Sequence, residues 1–122
     1  MKVTTEQADN VSILRVGETR LMYPVLADFS SAVTMLVAAG HRQILIDLSP
    51  VTYVDSAAIG CLMDIHRLLQ DKGGAVKLCR LQPRVETMIS MTGVHKIVGI
   101  HREEAAALAS FGKGRKKGKA DA

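Results

Sequence analysis

The stretch from Ile44 to Gly60 constrains this chain more than any other. Ile44-Leu45-Ile46-Asp47-Leu48 sets four apolar residues around one Asp, and so reads as a strand covered on both faces rather than a half-exposed one. Pro50 stops it. Ser49-Pro50-Val51-Thr52-Tyr53-Val54 then makes a short loop, and Asp55-Ser56 supplies N-cap chemistry for the apolar-periodic run that follows. A buried strand handing over to a helix start places one hydroxyl, that of Ser56, at the head of the helix.

The rest of the chain alternates elements at short spacing, which predicts an α/β domain rather than a helical bundle. Val11, Ile13 and Leu14-Arg15-Val16 give a first strand ending at Gly17, and Thr19 to Met22 a short second one. Pro24 suits the first turn of a helix, and Val25, Leu26, Phe29, Val33, Leu36 and Val37 recur at helical spacing up to Gly40. After the strand from Gln43 to Leu48, the Ser56 helix carries Ile59, Leu62, Met63, Ile65, His66 and Leu69 until Lys72-Gly73-Gly74 ends it. Ala75 to Leu81 reads as a strand, Pro83 to Gly93 as a helix, Lys96 to Ile100 as a last strand, and Glu103-Glu104-Ala105 as the start of a last helix. The expected architecture is a mixed sheet of four to five strands with helices mainly on one face.

A chain of 122 residues with 48% hydrophobic content is long enough for one core without staples. Cys61 and Cys79 lie far apart and match no metal or redox spacing, so they read as small buried thiols. No apolar run approaches the roughly 20 residues of a membrane span and no leader-like segment opens the chain, which predicts a cytoplasmic protein. Aromatic content of 3% without Trp argues against base stacking, so no specific nucleic-acid partner is expected. The net charge of +4 is local: residues 112–122 hold five cations against Asp121, and the remainder balances to zero. That basic segment is expected to be a disordered tail on a single domain of residues 1–111. Its cations would give at most weak contact with anionic surfaces.

Catalytic or metal chemistry finds little support. His41, His66, His95 and His101 fall on different elements with no liganding or triad pattern, and Gly73-Gly74 follows a helix where a phosphate cradle would precede one. Asp47 and Asp55 bracket the strand-to-helix loop and read better as loop-anchoring and capping residues than as a metal pair. No catalytic residue, metal site or cofactor is therefore expected, and the chain reads as a binding module rather than an enzyme. From local sequence alone Ser56 is an N-cap.

The Ile44 to Gly60 segment also resembles the signature of the STAS fold of bacterial anti-sigma factor antagonists, a hydrophobic strand ending in Asp and then Asp-Ser-Ser/Thr-Gly-Leu-Gly opening a helix. Asp55, Ser56 and Gly60 match it, and Leu81-Gln82-Pro83-Arg84-Val85-Glu86 with Met91-Thr92-Gly93-Val94 resembles the family's penultimate strand end, Pro-started helix and small-residue stop. The likeness runs from about Val11 to Ser110. Two positions depart: Ala58 stands where the family usually has Gly, and Gly17-Glu18-Thr19-Arg20 where it often has Gly-Glu-Leu-Asp. The resemblance implies a phosphoprotein of bacterial signal transduction and transcription regulation. Ser56 would be the phosphoacceptor. The partner would be an anti-sigma factor with serine kinase activity, a GHKL-type ATPase that itself supplies the ATP site, with a phosphatase to reverse the modification. Unmodified protein would bind that kinase and release the sigma factor. The protein–protein interaction surface expected on this basis comprises Arg20, Met22, Tyr23, Ser49, Thr52, Val54, Asp55, Ser56, Ala57, Ala58 and Ile59. The alternative the sequence leaves open is a non-switching STAS scaffold, in a signalling assembly or a lipid transport complex.

Overall fold

The computed structural model describes residues 2–111, and the segment 112–122 expected to be a tail lies outside the described residues. Gln43–Asp47 is the strand expected from its apolar run: Ile44, Leu45 and Ile46 have 0% exposure, as does Leu48 just beyond. In chain order, β1 is Val3–Ala8, β2 Val11–Val16, β3 Arg20–Leu21, β4 this Gln43–Asp47 strand, β5 Tyr53–Val54, β6 Ala75–Cys79 and β7 Gly99–His101. The helices are α1 (Tyr23–Ala38), α2 (Ser56–Asp71), α3 (Pro83–Ser90) and α4 (residues 104–111), with a 3-10 turn at Val94–Lys96.

Five strands form one mixed sheet in the order β1-β2-β4-β6-β7, in which only the β1–β2 pair is antiparallel. Successive side chains of a strand point to opposite faces, and the register sorts them into two layers. Leu14 beside Ile46 and Ile46 beside Leu78 line one face, where α1 brings Phe29 and Val33, α2 brings Leu62 and Leu69, and α3 brings Val85 and Ile89. Ile13 beside Leu45, together with Cys79, lines the other, which α4 covers with Ala107 and Phe111. Helices thus lie mainly on one face, and among the described residues α4 closes the second. A separate parallel pair, β3 with β5, joins Arg20 to Tyr53 and Leu21 to Val54 at the front of α1 and α2.

Four features differ from expectation. Tyr53–Val54, expected to end the loop that opens at Ser49, is the short strand β5, because pairing with β3 gives its backbone partners. A strand precedes the one expected to be first: β1 is Val-Thr-Thr-Glu-Gln-Ala, mostly exposed on both faces, and such an edge strand carries no apolar alternation to announce it. Lys96 belongs to the 3-10 turn and not to the last strand, which is only Gly99–His101, because Gly93 at φ 83° turns the chain and Val94 anchors it in the core before the strand begins. The strand before α3 ends at Cys79, since Arg80 adopts a left-handed φ of 60°. At the opposite end of the sheet, a Cβ at Gly74 would lie 2.1 Å from the Arg42 carbonyl oxygen, which accepts the Ala75 N–H at 2.9 Å, so only glycine fits.

Both cysteines are free; Cys79 is buried and Cys61 half-buried. Burial pushes the Cys79 thiol up to about 12, helped by the negative charge of Asp47, so it stays protonated and behaves as an apolar side chain. Among the described residues no helix is long and apolar enough to cross a membrane.

One charged cluster fastens α4 to the sheet. Asp47 is 3% exposed at the end of β4, and the Arg15 Nη1 donates to its Oδ2 at 2.7 Å. The same guanidinium reaches Glu104 of α4 at 2.7 Å and Glu6 of β1 at 2.8 Å. These partners, Glu104 and Glu6 foremost, hold Arg15 protonated beyond its already high ordinary value. Removing the cation strands the buried carboxylate, so Arg15→Met should lower the unfolding free energy by about 3 kcal/mol. Glu104→Gln should cost under about 1 kcal/mol because that pair is partly solvated. Urea unfolding of both variants measures the difference.

Candidate functional site

The carboxyl end of the sheet is where the chain exposes its distinctive residues, and Asp55 organises them. Asp55 sits in extended geometry at φ −101°, ψ 178° immediately before α2, and its Oδ1 accepts the Ala58 N–H at 2.8 Å. Helix starts leave N–H groups without partners, and this is the standard way of supplying one. The N-cap is therefore Asp55 and not Ser56. Ser56 occupies the first helical position, exposed, and among the described residues no hydrogen bond engages its hydroxyl.

The second oxygen of Asp55 does something the local sequence does not announce. Its Oδ2 accepts the Tyr23 N–H at 3.0 Å, across 32 positions. Tyr23 opens α1, whose own N-cap Met22 offers no side-chain acceptor. Pro24 has no N–H to satisfy, and Val25 N–H returns to the Met22 carbonyl at 2.9 Å. One carboxylate thus caps two helices.

The loops around Asp55 are fastened mostly by side chains reaching to backbone. Thr52 donates both its N–H, at 2.7 Å, and its hydroxyl, at 3.1 Å, to the Thr19 carbonyl. Asp47 Oδ1 accepts the Ser49 N–H at 2.9 Å, and Gln82 at the head of α3 donates to the Ser49 carbonyl at 2.9 Å. Gln82 was not foreseen; nothing in its own neighbourhood signals a contact with a residue 33 positions away. Asp47 and Asp55 do anchor and cap, as expected of them, and each spends both oxygens on protein donors. Among the described residues no group of three or more His, Cys, Asp or Glu side chains could hold a metal ion.

The residues expected to meet a partner divide into two sets. Arg20, Thr52, Ser56, Ala57 and Tyr23 are exposed, Tyr23 at 76%, while Met22, Ser49, Asp55 and Ile59 are half-buried. They come from β3, the 48–55 loop and the first turns of α1 and α2, which the β3–β5 pairing and Asp55 bring to one end of the molecule. Val54 and Ala58 do not join them: their exposures are 1% and 0%, and their side chains belong to the core. The methyl of Ala58, where the resembled signature usually has Gly, fills space beneath the α2 start. The surface is small and mixed, with one large exposed aromatic ring and one cation, a composition suited to binding another protein. The experiment that separates the two residues at the turn is stability: Asp55→Ala should cost about 1–2 kcal/mol or more, whereas Ser56→Ala should stay within about 0.5 kcal/mol. Chemical denaturation of both variants checks this.

Comparison with known proteins places this geometry. The STAS domain matches residues 2–107 of the sequence. The anti-sigma F factor antagonist of Paenibacillus polymyxa is 31% identical over 67 residues, which are 55% of this chain and 57% of that protein. The chain spans between 55% and 65% of the lengths of the curated relatives it matches. Among solved structures, an anti-sigma factor antagonist from Mycobacterium paratuberculosis superposes with a TM-score of 0.81 at 22% identity, covering 90% of this chain and 92% of that one. The Bacillus cell fate determinant SpoIIAA in its phosphorylated form superposes with a TM-score of 0.68 at 14% identity, covering 89% and 98%. At these identities the two structures share the fold.

Proposed function

The chain belongs to the STAS-domain family, and on that premise we propose that it is an anti-sigma factor antagonist whose binding is switched off by phosphorylation of Ser56. The observation that carries the reading is the position of Ser56: an exposed hydroxyl at the first position of α2, beside a capping carboxylate and an exposed tyrosine, with no structural duty of its own. A hydroxyl that holds nothing together is free to be modified.

The partner is an anti-sigma factor with serine kinase activity, of the GHKL ATPase type, acting with this protein in the bacterial cytoplasm. In the unmodified state the Arg20, Tyr23, Thr52 and Ser56 surface packs against it and the sigma factor is released. Transfer joins Ser56 Oγ to the γ-phosphorus of ATP and breaks its bond to the bridging oxygen; ADP leaves, and the hydroxyl proton passes to a base on the kinase. This chain contributes the acceptor and the kinase the catalytic groups, so it is a substrate and a binding partner rather than an enzyme. The product carries about two negative charges at pH 7 beside Asp55. The free N–H groups and positive dipole at the α2 start tolerate them in the isolated protein, whereas a partner packed on the bare hydroxyl meets added bulk and like charge. A phosphatase returns the system to the binding state.

Incubation with a kinase-type anti-sigma factor and ATP, followed by intact-mass measurement, should add one phosphoryl group to the wild type and none to Ser56→Ala. An unchanged wild-type mass, with the kinase shown active on another substrate, would favour the non-switching scaffold instead. Calorimetry should find that Tyr23→Ala weakens binding by about 2 kcal/mol, as loss of an exposed aromatic anchor does, and that Arg20→Asp weakens it as well. Removal of residues 112–122 should leave both affinity and melting temperature unchanged.

A further inference from the structure

Whatever touches Ser56 touches a residue that already holds two helices. Asp55 spends one oxygen on Ala58 of its own helix and the other on Tyr23 of α1, at 2.8 and 3.0 Å. The first bond is local, within three residues; the second supplies the α1 start with a side-chain acceptor that its own N-cap Met22 does not provide. Backbone bonds complete the assembly: the Asp55 N–H reaches the Leu21 carbonyl at 3.4 Å, and the Asp55 carbonyl accepts the Ile59 N–H at 3.1 Å. The side chain of Tyr23 has no such support. It is 76% exposed, and among the described residues the side-chain hydrogen bond that ties its backbone to the α2 side of the site is the one to Asp55.

A negative group on Ser56 enters this arrangement next in sequence to the carboxylate. The N–H groups of the α2 first turn then have two anionic claimants, and the two anions repel one another. The Ala58 bond is short, local and held by the helix. The Tyr23 bond is long-range and exposed, so it yields first.

We propose that Asp55 transmits the state of Ser56 to Tyr23: a negative charge at Ser56 displaces the carboxylate from the Tyr23 N–H, frees the first turn of α1, and so loosens the backbone that carries the exposed aromatic ring. Asp55 is a positioning residue in this scheme. The scheme rests on Ser56 being the switch, but it concerns how the modification is felt 33 positions away and not whether it occurs. Release of a partner then has two parts, charge placed directly in the interface and an anchor no longer held in register.

Amide hydrogen exchange measured by NMR on the full chain tests the coupling without any partner. Ser56→Glu should raise the exchange rate of the Tyr23 amide about tenfold, the order expected for loss of a charge-assisted hydrogen bond, while the Ala58 amide stays protected and Ser56→Ala changes neither. Asp55→Asn keeps an oxygen for Ala58 but offers Tyr23 an NH2 that cannot accept, so it should speed Tyr23 by a similar factor on its own. In the Asp55→Asn background, Ser56→Glu should then add nothing at Tyr23. The inference is overturned if Ser56→Glu leaves Tyr23 unchanged, or if its effect persists undiminished in the double variant. If the kinase assay fails while the exchange pattern holds, the coupling stands and the switch does not. If Ser56 is phosphorylated while Tyr23 exchange is unmoved, the switch stands and this route is wrong.

Discussion

The constraint on which this molecule turns is that β4 has no solvent-facing side. Ile44, Ile46 and Leu48 point to one layer and Leu45 and Asp47 to the other, and every one is buried. Each apolar group so covered contributes on the order of 1.5–3 kcal/mol, so both layers are obligatory. α1, α2 and α3 supply the first. The second rests on α4, a helix of two turns, which is why it needs an ionic fastening at Glu104 as well as Ala107 and Phe111. The single charge β4 carries inward, Asp47, is what that fastening is built around.

With the sheet fixed, its carboxyl end becomes a platform. The strands stop where Asp47, Arg80 and the β3–β5 pair turn the chain, and the loops they release are held by carboxylates facing backbone N–H groups. That chemistry is economical in a small domain: Asp47 steadies the loop through Ser49, and Asp55 steadies both helix starts. It also explains why Ser56 is uncommitted. The capping position is taken by its neighbour, so the hydroxyl that follows is left facing solvent.

What could be seen in the sequence was whatever periodicity or punctuation encodes. The run from Ile44 to Leu48, the apolar stripe from Val25 to Val37 closed by Gly40, and the prolines at positions 24 and 83 mark elements whose energetics are local, and these lie where expected within a residue or two. β1 was not visible because an edge strand with Thr, Glu and Gln on both faces has no pattern to read. The site was legible as a location, since Asp55 and Ser56 announce a helix start, but the division of labour between them was not. Either residue type is a good cap. Which one caps depends on the path of the chain entering α2, and the bond from Asp55 to Tyr23 depends on tertiary placement that no spacing rule contains. The burial of Val54 and Ala58 is likewise a fact of the whole fold: Val54 lies between two half-buried residues, and Ala58 between exposed Ala57 and half-buried Ile59.

The closeness of Gly74 to Arg42 bears on how such a domain can change over generations. Where β6 begins, the main chain at Gly74 lies against that of Arg42, and even one methyl group has no room there. Insertions or substitutions there would pry β6 from β4. At the opposite end the connections are held by side chains reaching to backbone, and those can be exchanged a residue at a time while the sheet stays intact. Change is therefore easier at one pole of the molecule: the 48–55 and 17–22 loops can be rewritten, whereas position 74 must stay glycine for β6 to keep its place beside β4.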